Sequence, residues 1–211
     1  MSENISNDLI RSMIKNAAVV VKENNEELSR LDAATGDGDH GTTMVRAMNA
    51  IEKAEAEKAD ADAAGLLHAC GWEIMCSDGG STGPLFGSLF MGMAKPAKGK
   101  ESLTTQDLAE MFETGLAGIR KQSKAQLGDK TMIDALVPAV EAIRAAADEN
   151  KNVAEIMEAG AQAAAAGAEK TKEYQAKFGR ARNLGERSIG HVDAGATSIS
   201  YIFAAFAQAC K

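Results

Sequence analysis

Apolar residues recur at three- to four-residue spacing through most of the chain, in "LIRSMIKNAAVVVKENNEELSRL", "LLHACGWEIMC", "LAEMFETGLAGI" and "MIDALVPAVEAIRAA". That period puts them on one face of a helix, whereas a half-buried strand needs strict alternation, and no stretch offers a competing strand pattern. The spacing predicts about eight helices, near residues 5–30, 41–55, 61–77, 84–94, 105–121, 131–148, 153–177 and 194–209. Start signals agree. Thr104 with Asp107 three residues later has the form of a capping box, and Asp129 or Thr131 is placed to cap the following helix. Pro138 falls inside the sixth helix and predicts a kink or a local break. The alanine-rich "EAGAQAAAAGAEKTKEY" reads as a packed helix, because alanine is the strongest helix former and its small side chain lets helices approach.

An all-α bundle follows, and 211 residues suit a single domain over 1–211 with one buried core. Only three prolines and a 4% aromatic share leave Ala, Leu and Met to supply that core. No secretory signal stands at the start and no apolar run nears the roughly 20 residues that span a bilayer, so a cytoplasmic protein is expected. Cys70, Cys76 and Cys210 are odd in number and lack CxxC spacing, which argues for reduced core residues over a disulfide framework or a zinc site. A net charge of −7 disfavours nucleic acid or an anionic membrane as partner, since both demand a cationic face. A small anionic ligand stays open, provided that metal ions, helix N-termini and an arginine supply positive charge locally.

The connections carry more information than the helices. Four are rich in glycine, hydroxyl or acid: "GDGDHGTT" (36–43), "SDGGSTGPLFG" (77–87), "LGDKTM" (127–132) and "GRARNLGERSIGHVDAGATS" (179–198). They are alternate loops of the eight-helix count, and alternate loops of an antiparallel bundle share one end, so the four are expected to converge. Asp32, Asp37 and Asp39 offer hard oxygen ligands for Mg²⁺, while Gly41, Thr42 and Thr43 open a helix whose free N–H groups can receive an anion. The competing account is that the aspartates cap helices and the glycines close a turn. An EF-hand fails, because counting from Asp37 puts Met48 where a bidentate glutamate is needed. Ser81 and Thr82 in "GGSTG" could bind phosphate, although no P-loop signature is present. His40 could contact phosphate or cap a helix. His68 reads as a core histidine, and His191 could help to shape the last loop. Arg180 is the leading phosphate cation among Lys177, Arg180, Arg182 and Arg187.

Taken together, "LDAATGDGDHGTTM", "GGSTGPLFG", "GDKTMIDALVP" and "GRARNLGERSIGHVDAGATS" closely resemble the ADP-binding L subunit of phosphoenolpyruvate-dependent dihydroxyacetone kinase, from about residue 9 to the C-terminus. The resemblance implies a barrel of eight antiparallel amphipathic helices with the nucleotide at one end. It implies that Asp32, Asp37 and Asp39 hold two Mg²⁺ ions on the ADP phosphates. His40, Gly41, Thr42, Thr43, Ser81 and Thr82 would line the phosphate side, with Met132 near the base or ribose and Ser123 at a further nucleotide contact. Arg180 would touch the nucleotide, and Asp193, Ala194 and Gly195 would close the pocket. Beyond the metal ligands and Arg180, no catalytic residue is assigned. Ala194 stands where the family commonly has proline, which bears on loop rigidity more than on chemistry.

The activity so implied is phosphoryl transfer. A phosphohistidine on an M subunit carrier gives its phosphoryl group to retained ADP, and the group passes on to dihydroxyacetone held by a separate K subunit. A transcriptional regulator and a second copy of the chain are further candidate partners. Two alternatives stand beside this: a nucleotide-binding subunit of an ATP-dependent kinase of dihydroxyacetone or an erythrulose-type ketose, and a helical regulatory nucleotide-binding module. The "ERSIGH" form of the last motif leans toward the phosphotransferase-linked version.

Overall fold

The first apolar run is cut in two by its own asparagines. In the computed structural model, which describes residues 4–77 and 80–211, α1 (Asn7–Glu23) stops at Asn24 and α2 (Asn25–Ala33) restarts at once. The Asn24 amide donates to the Val20 carbonyl at 2.8 Å and the Asn25 amide to the Lys22 carbonyl at 2.6 Å. Side chains thus take acceptors that the helix end would otherwise leave to backbone. The single helix expected over 5–30 is therefore two, and the second carries Asp32 in its last turn.

The remaining α-helices among the described residues are α3 (His40–Glu57), α4 (Ala63–Cys76), α5 (Thr82–Ala97), α6 (Thr105–Gln122), α7 (Ile133–Asp148), α8 (Val153–Lys170) and α9 (Ala194–Ala209). Thr104 and Asp107 form the expected capping box, and Asn152 with Glu155 forms a second one on α8. The N-cap position of α7 falls to Met132, but the Thr131 hydroxyl still caps the helix start by accepting from the Ile133 N–H at 3.2 Å, while the Asp129 carboxylate turns back to accept from the Gln126 N–H at 2.8 Å.

Instead of breaking, α7 runs continuously through Pro138. The proline has no N–H to offer the Asp134 carbonyl, and Gly167 of α8 packs so closely on that carbonyl that any Cβ would overlap it. The alanine-rich segment is indeed a packed helix, but α8 ends before the expected residue 177. The Thr171 hydroxyl donates to the Ala168 carbonyl at 2.6 Å and the Thr171 carbonyl accepts from the Lys130 ammonium at 2.6 Å, which turns the chain into a short 3-10 segment, Thr171–Glu173.

Neighbour relations follow chain order. Each of α3 to α9 packs on the next, and the succession closes with α9 on α1 and α1 on α3. Among the described residues the only β pairing is an isolated bridge between Ile5 and Leu103, so the class is all-α. Among the described residues no helix is long and apolar enough to cross a membrane.

Alanine, leucine and methionine fill much of the core, as composition requires, yet five of the six phenylalanines are buried there too. Phe112, Phe203 and Phe206 meet with ring centroids 5.2–6.1 Å apart, joining α6 to α9. Of the cysteines only Cys70 is buried, its thiol pushed up to about 12 by desolvation; Cys76 is exposed and Cys210 partly so. His68 is exposed as well, which corrects its assignment to the core.

Candidate functional site

Asp32, at the end of α2, and Asp37 and Asp39, on the turn into α3, each present a carboxylate oxygen within 4.8 Å of the other two. Capping does not consume them. Asp39 occupies the N-cap position of α3 but makes no side-chain cap bond, and Asp37 is ion-paired with Arg180. Asp32 alone does capping work, accepting from the His40 N–H at 3.3 Å. An all-oxygen, triply anionic cluster is a donor set for a hard cation such as Mg²⁺, whereas a softer metal would call for nitrogen or sulfur.

The cluster borders a cavity of about 640 Å³ lined from all four unusual loops. Of the residues singled out by sequence, the cavity brings together Asp32, Asp37, Asp39, His40, Thr43, Ser81, Thr82, Ser123, Met132, Arg180, Asp193, Ala194 and Gly195. Two fall outside the lining. Thr42 is exposed on the outer side of α3, and Gly41 is pressed against the Asn25 carbonyl and the Ser29 hydroxyl, where a Cβ would overlap both. Gly41 therefore serves the packing of α3 on α2. His191 is exposed and also lies outside, contributing its carbonyl to Lys130. Asp78 and Gly79 of the second loop lie outside the described residues.

His40 is anchored by its ring, with Nε2 2.7 Å from the Ser198 hydroxyl of α9. Burial lowers its pKa, against the pull of nearby Asp32, which keeps the imidazole neutral at pH 7. Asp193 caps α9 by accepting from the Ala196 N–H at 2.7 Å, and its own N–H donates to the Thr171 hydroxyl at 2.8 Å. Burial pushes its carboxyl up to about 6, opposed by the Ala196 hydrogen bond and by Lys130.

Sequence reasoning missed the two residues that hold this end of the molecule together. Lys130 is 2% exposed, sits at a φ of 61°, and donates to the carbonyls of Thr171 and His191. Its ammonium, whose pKa desolvation lowers, lies near Asp193 and Asp134. Asp134, 3% exposed, accepts from the Gly128 N–H at 2.5 Å and the Thr131 N–H at 2.8 Å, folding the third loop back on the start of α7. Lys177 ties the last loop to the third through Asp129 at 2.8 Å. The available signal was two charged residues inside "GDKTMID", at the mouth of an apolar helix. Apolar walls complete the cavity, from Leu85, Phe86, Ile119, Ile133 and Phe178. One side is thus anionic with cations at hand, and the other is apolar. That division suits a ligand with a metal-bound polyanionic part and a planar or apolar part.

Comparisons with known proteins identify relatives of the chain. The model of the DAK2 domain matches residues 34–208. The chain is 40% identical over 186 residues to the "PEP-dependent dihydroxyacetone kinase, ADP-binding subunit DhaL" of Escherichia coli, covering 88% of this chain and 89% of that protein. It is also 40% identical over 188 residues to the ADP-binding subunit of PEP-dependent dihydroxyacetone kinase 1 of Listeria innocua, with 89% of each covered. Among solved structures, the dihydroxyacetone kinase from C. freundii in complex with AMP-PNP and Mg²⁺ superposes with a TM-score of 0.73 at 28% identity. That match takes in 99% of this chain and 35% of the kinase, so this chain corresponds to about a third of that protein.

Proposed function

The chain belongs to the DAK2-domain family, and from that premise we propose that it is the ADP-binding subunit of a phosphoenolpyruvate-dependent dihydroxyacetone kinase, a phosphotransferase built from several subunits. The observation that carries the reading is the cluster of Asp32, Asp37 and Asp39 on the rim of a nucleotide-sized cavity whose far wall is apolar. The relatives that match over nearly their whole length are ADP-binding subunits, which favours a separate subunit over part of a single-chain ATP-dependent ketose kinase. In this reading residues 1–211 act as one nucleotide-binding domain in the cytoplasm.

A phosphoryl group is delivered from a phosphohistidine on an M subunit to ADP held here, and leaves for dihydroxyacetone held on a K subunit. Two Mg²⁺ ions, held by Asp32, Asp37 and Asp39, would neutralise charge on the phosphate oxygens. The chain's own residues do the positioning, on which such transfers chiefly depend. Thr43, Ser81 and Thr82 offer hydroxyls on the phosphate side. Met132, Phe86 and Phe178 offer an apolar seat for the base. The Arg180 side chain is 64% exposed and can exchange its Asp37 partner for a phosphate oxygen. Neutral His40, tied to Ser198, can donate or accept without adding charge.

Reconstitution tests this. With K and M subunits present, label from phosphoenolpyruvate is expected to appear first in nucleotide bound to this chain and then in dihydroxyacetone phosphate. Label reaching the sugar without passing through bound nucleotide overturns the reading. ADP that survives dialysis marks it as retained, and rapid exchange with free ATP supports the ketose-kinase alternative.

A further inference from the structure

A second cavity, of about 660 Å³, opens over α5 between α4 and α6. Glycines make it a trench. Gly92 of α5 packs on the Thr114 carbonyl and Gly118 of α6 on the Ser88 carbonyl, so tightly that a Cβ at either would overlap backbone, and α5 is seated deep between its neighbours. From Ser88 to Lys98 the floor runs about three helical turns, or roughly 15 Å. Met75 and Met91 line it with flexible, polarisable side chains, of the kind that adapt to a partner's apolar face.

The charge around the trench points to an occupant. The Ser88 hydroxyl lines the trench, pairs with no described residue and stands open to solvent. Lys95, Lys98 and Lys121 stand around the trench, and none is in an ion pair among the described residues. The acidic residue of the lining, Asp62, is already engaged as the cap of α4, accepting from the Gly65 N–H at 2.7 Å. Three free ammonium groups around one apolar trench, in a chain of net charge −7, form a local field opposite to that of the whole molecule.

We propose that this trench is a docking surface for an amphipathic helix with acidic flanks, belonging to a partner protein. Two helical walls over a helical floor make a groove that takes a fourth helix, with apolar residues at i, i+3, i+4 and i+7 on the methionines and acidic flanks on the lysines. Trp72 lies on α4 one turn from His68 of the lining, is 54% exposed and offers an aromatic anchor at the edge. This surface does not include the Asp32 cluster, although Gln122 lines both cavities.

Trp72 is the single tryptophan, so its fluorescence reports on the trench. The probe is a synthetic helix of about three turns with a leucine stripe flanked by glutamates, and the control has lysines in place of the glutamates. With the full chain, the acidic helix is expected to shift Trp72 emission saturably and the lysine helix to leave it unchanged. The Lys95→Glu/Lys121→Glu double variant is expected to bind the acidic helix about tenfold more weakly or worse, with ADP affinity unchanged in the same preparation. Equal binding of both helices, or undiminished binding by the double variant, overturns the proposal. So does the same saturable shift with phosphate or acetate alone, which makes the trench a small-anion pocket. Self-association that the double variant abolishes overturns it too, by making the occupant a second copy of the chain.

Discussion

The Lys130 ammonium donates to the Thr171 carbonyl at 2.6 Å, joining the entry of α7 to the exit of α8. The same group reaches the His191 carbonyl two residues before Asp193, so one buried charge positions both ends of the long last connection. Lys130→Asn keeps a residue that tolerates the left-handed backbone but lacks the reach. It is expected to lose about 1–3 kcal/mol by leaving buried carbonyls unsatisfied, a fall in Tm of roughly 2–12 °C. Calorimetry checks the stability. ADP titration of the folded variant is expected to show weaker binding, because the loop bearing Arg180 loses its tether.

Asp193 gives the protein a pH dependence of unusual sign. Its folded value of about 6 exceeds the ordinary carboxylate value near 3.9, so the native state holds this proton more tightly than the unfolded chain does. The stabilisation is fully present below about pH 4 and is lost as pH rises through 6, up to roughly 3 kcal/mol in all. Lys130 opposes the shift, while Asp134 and Asp32 add to it. Asp193→Asn keeps a good cap without a titrating group. The difference in Tm between wild type and Asp193→Asn is expected to move against wild type between pH 4 and 7, and a constant difference refutes the assignment.

Asp37→Asn and Asp39→Asn, made separately, are expected to weaken Mg²⁺-dependent ADP binding at least tenfold, about 1.4 kcal/mol or more. Both carboxylates are exposed, so circular dichroism and Tm should hold. Calorimetric titration with and without Mg²⁺ is the measurement, and unchanged affinity in both variants removes the site.

Two adjacent residues of the first motif should behave in opposite ways. Gly41→Ala drives a methyl group into the Asn25 carbonyl and is expected to cost about 1–3 kcal/mol. Thr42→Ala, on an exposed position outside the cavity, is expected to change stability by no more than about 0.5 kcal/mol and to leave ADP affinity unchanged. Thermal melts of the two variants separate packing from ligand contact within one short sequence.

Much of this molecule was legible from spacing. Helical periodicity, the Thr104–Asp107 capping box and the alternation of unusual loops led to an all-α chain with Asp32, Asp37 and Asp39 beside one cavity. What spacing could not reveal is who meets whom. Asn24 and Asn25 divide a continuous apolar run through local side-chain bonds, and apolar period carries no trace of that competition. Gly41 looks like a phosphate-loop glycine until α2 is seen lying against it. Lys130 acquires its role from a carbonyl on Thr171 and a positive φ, neither of which its neighbours in sequence announce. His68 occupies an apolar stretch yet is exposed and faces the trench, on the side of α4 that its neighbours leave open.

The closing of α9 on α1 has a consequence for synthesis. The three aspartates leave the ribosome long before Asp193, Ala194 and Gly195, which line the same cavity. A nascent chain that has not yet released α9 cannot enclose that cavity, so occupancy of the cavity reports that α9 has emerged and closed on α1.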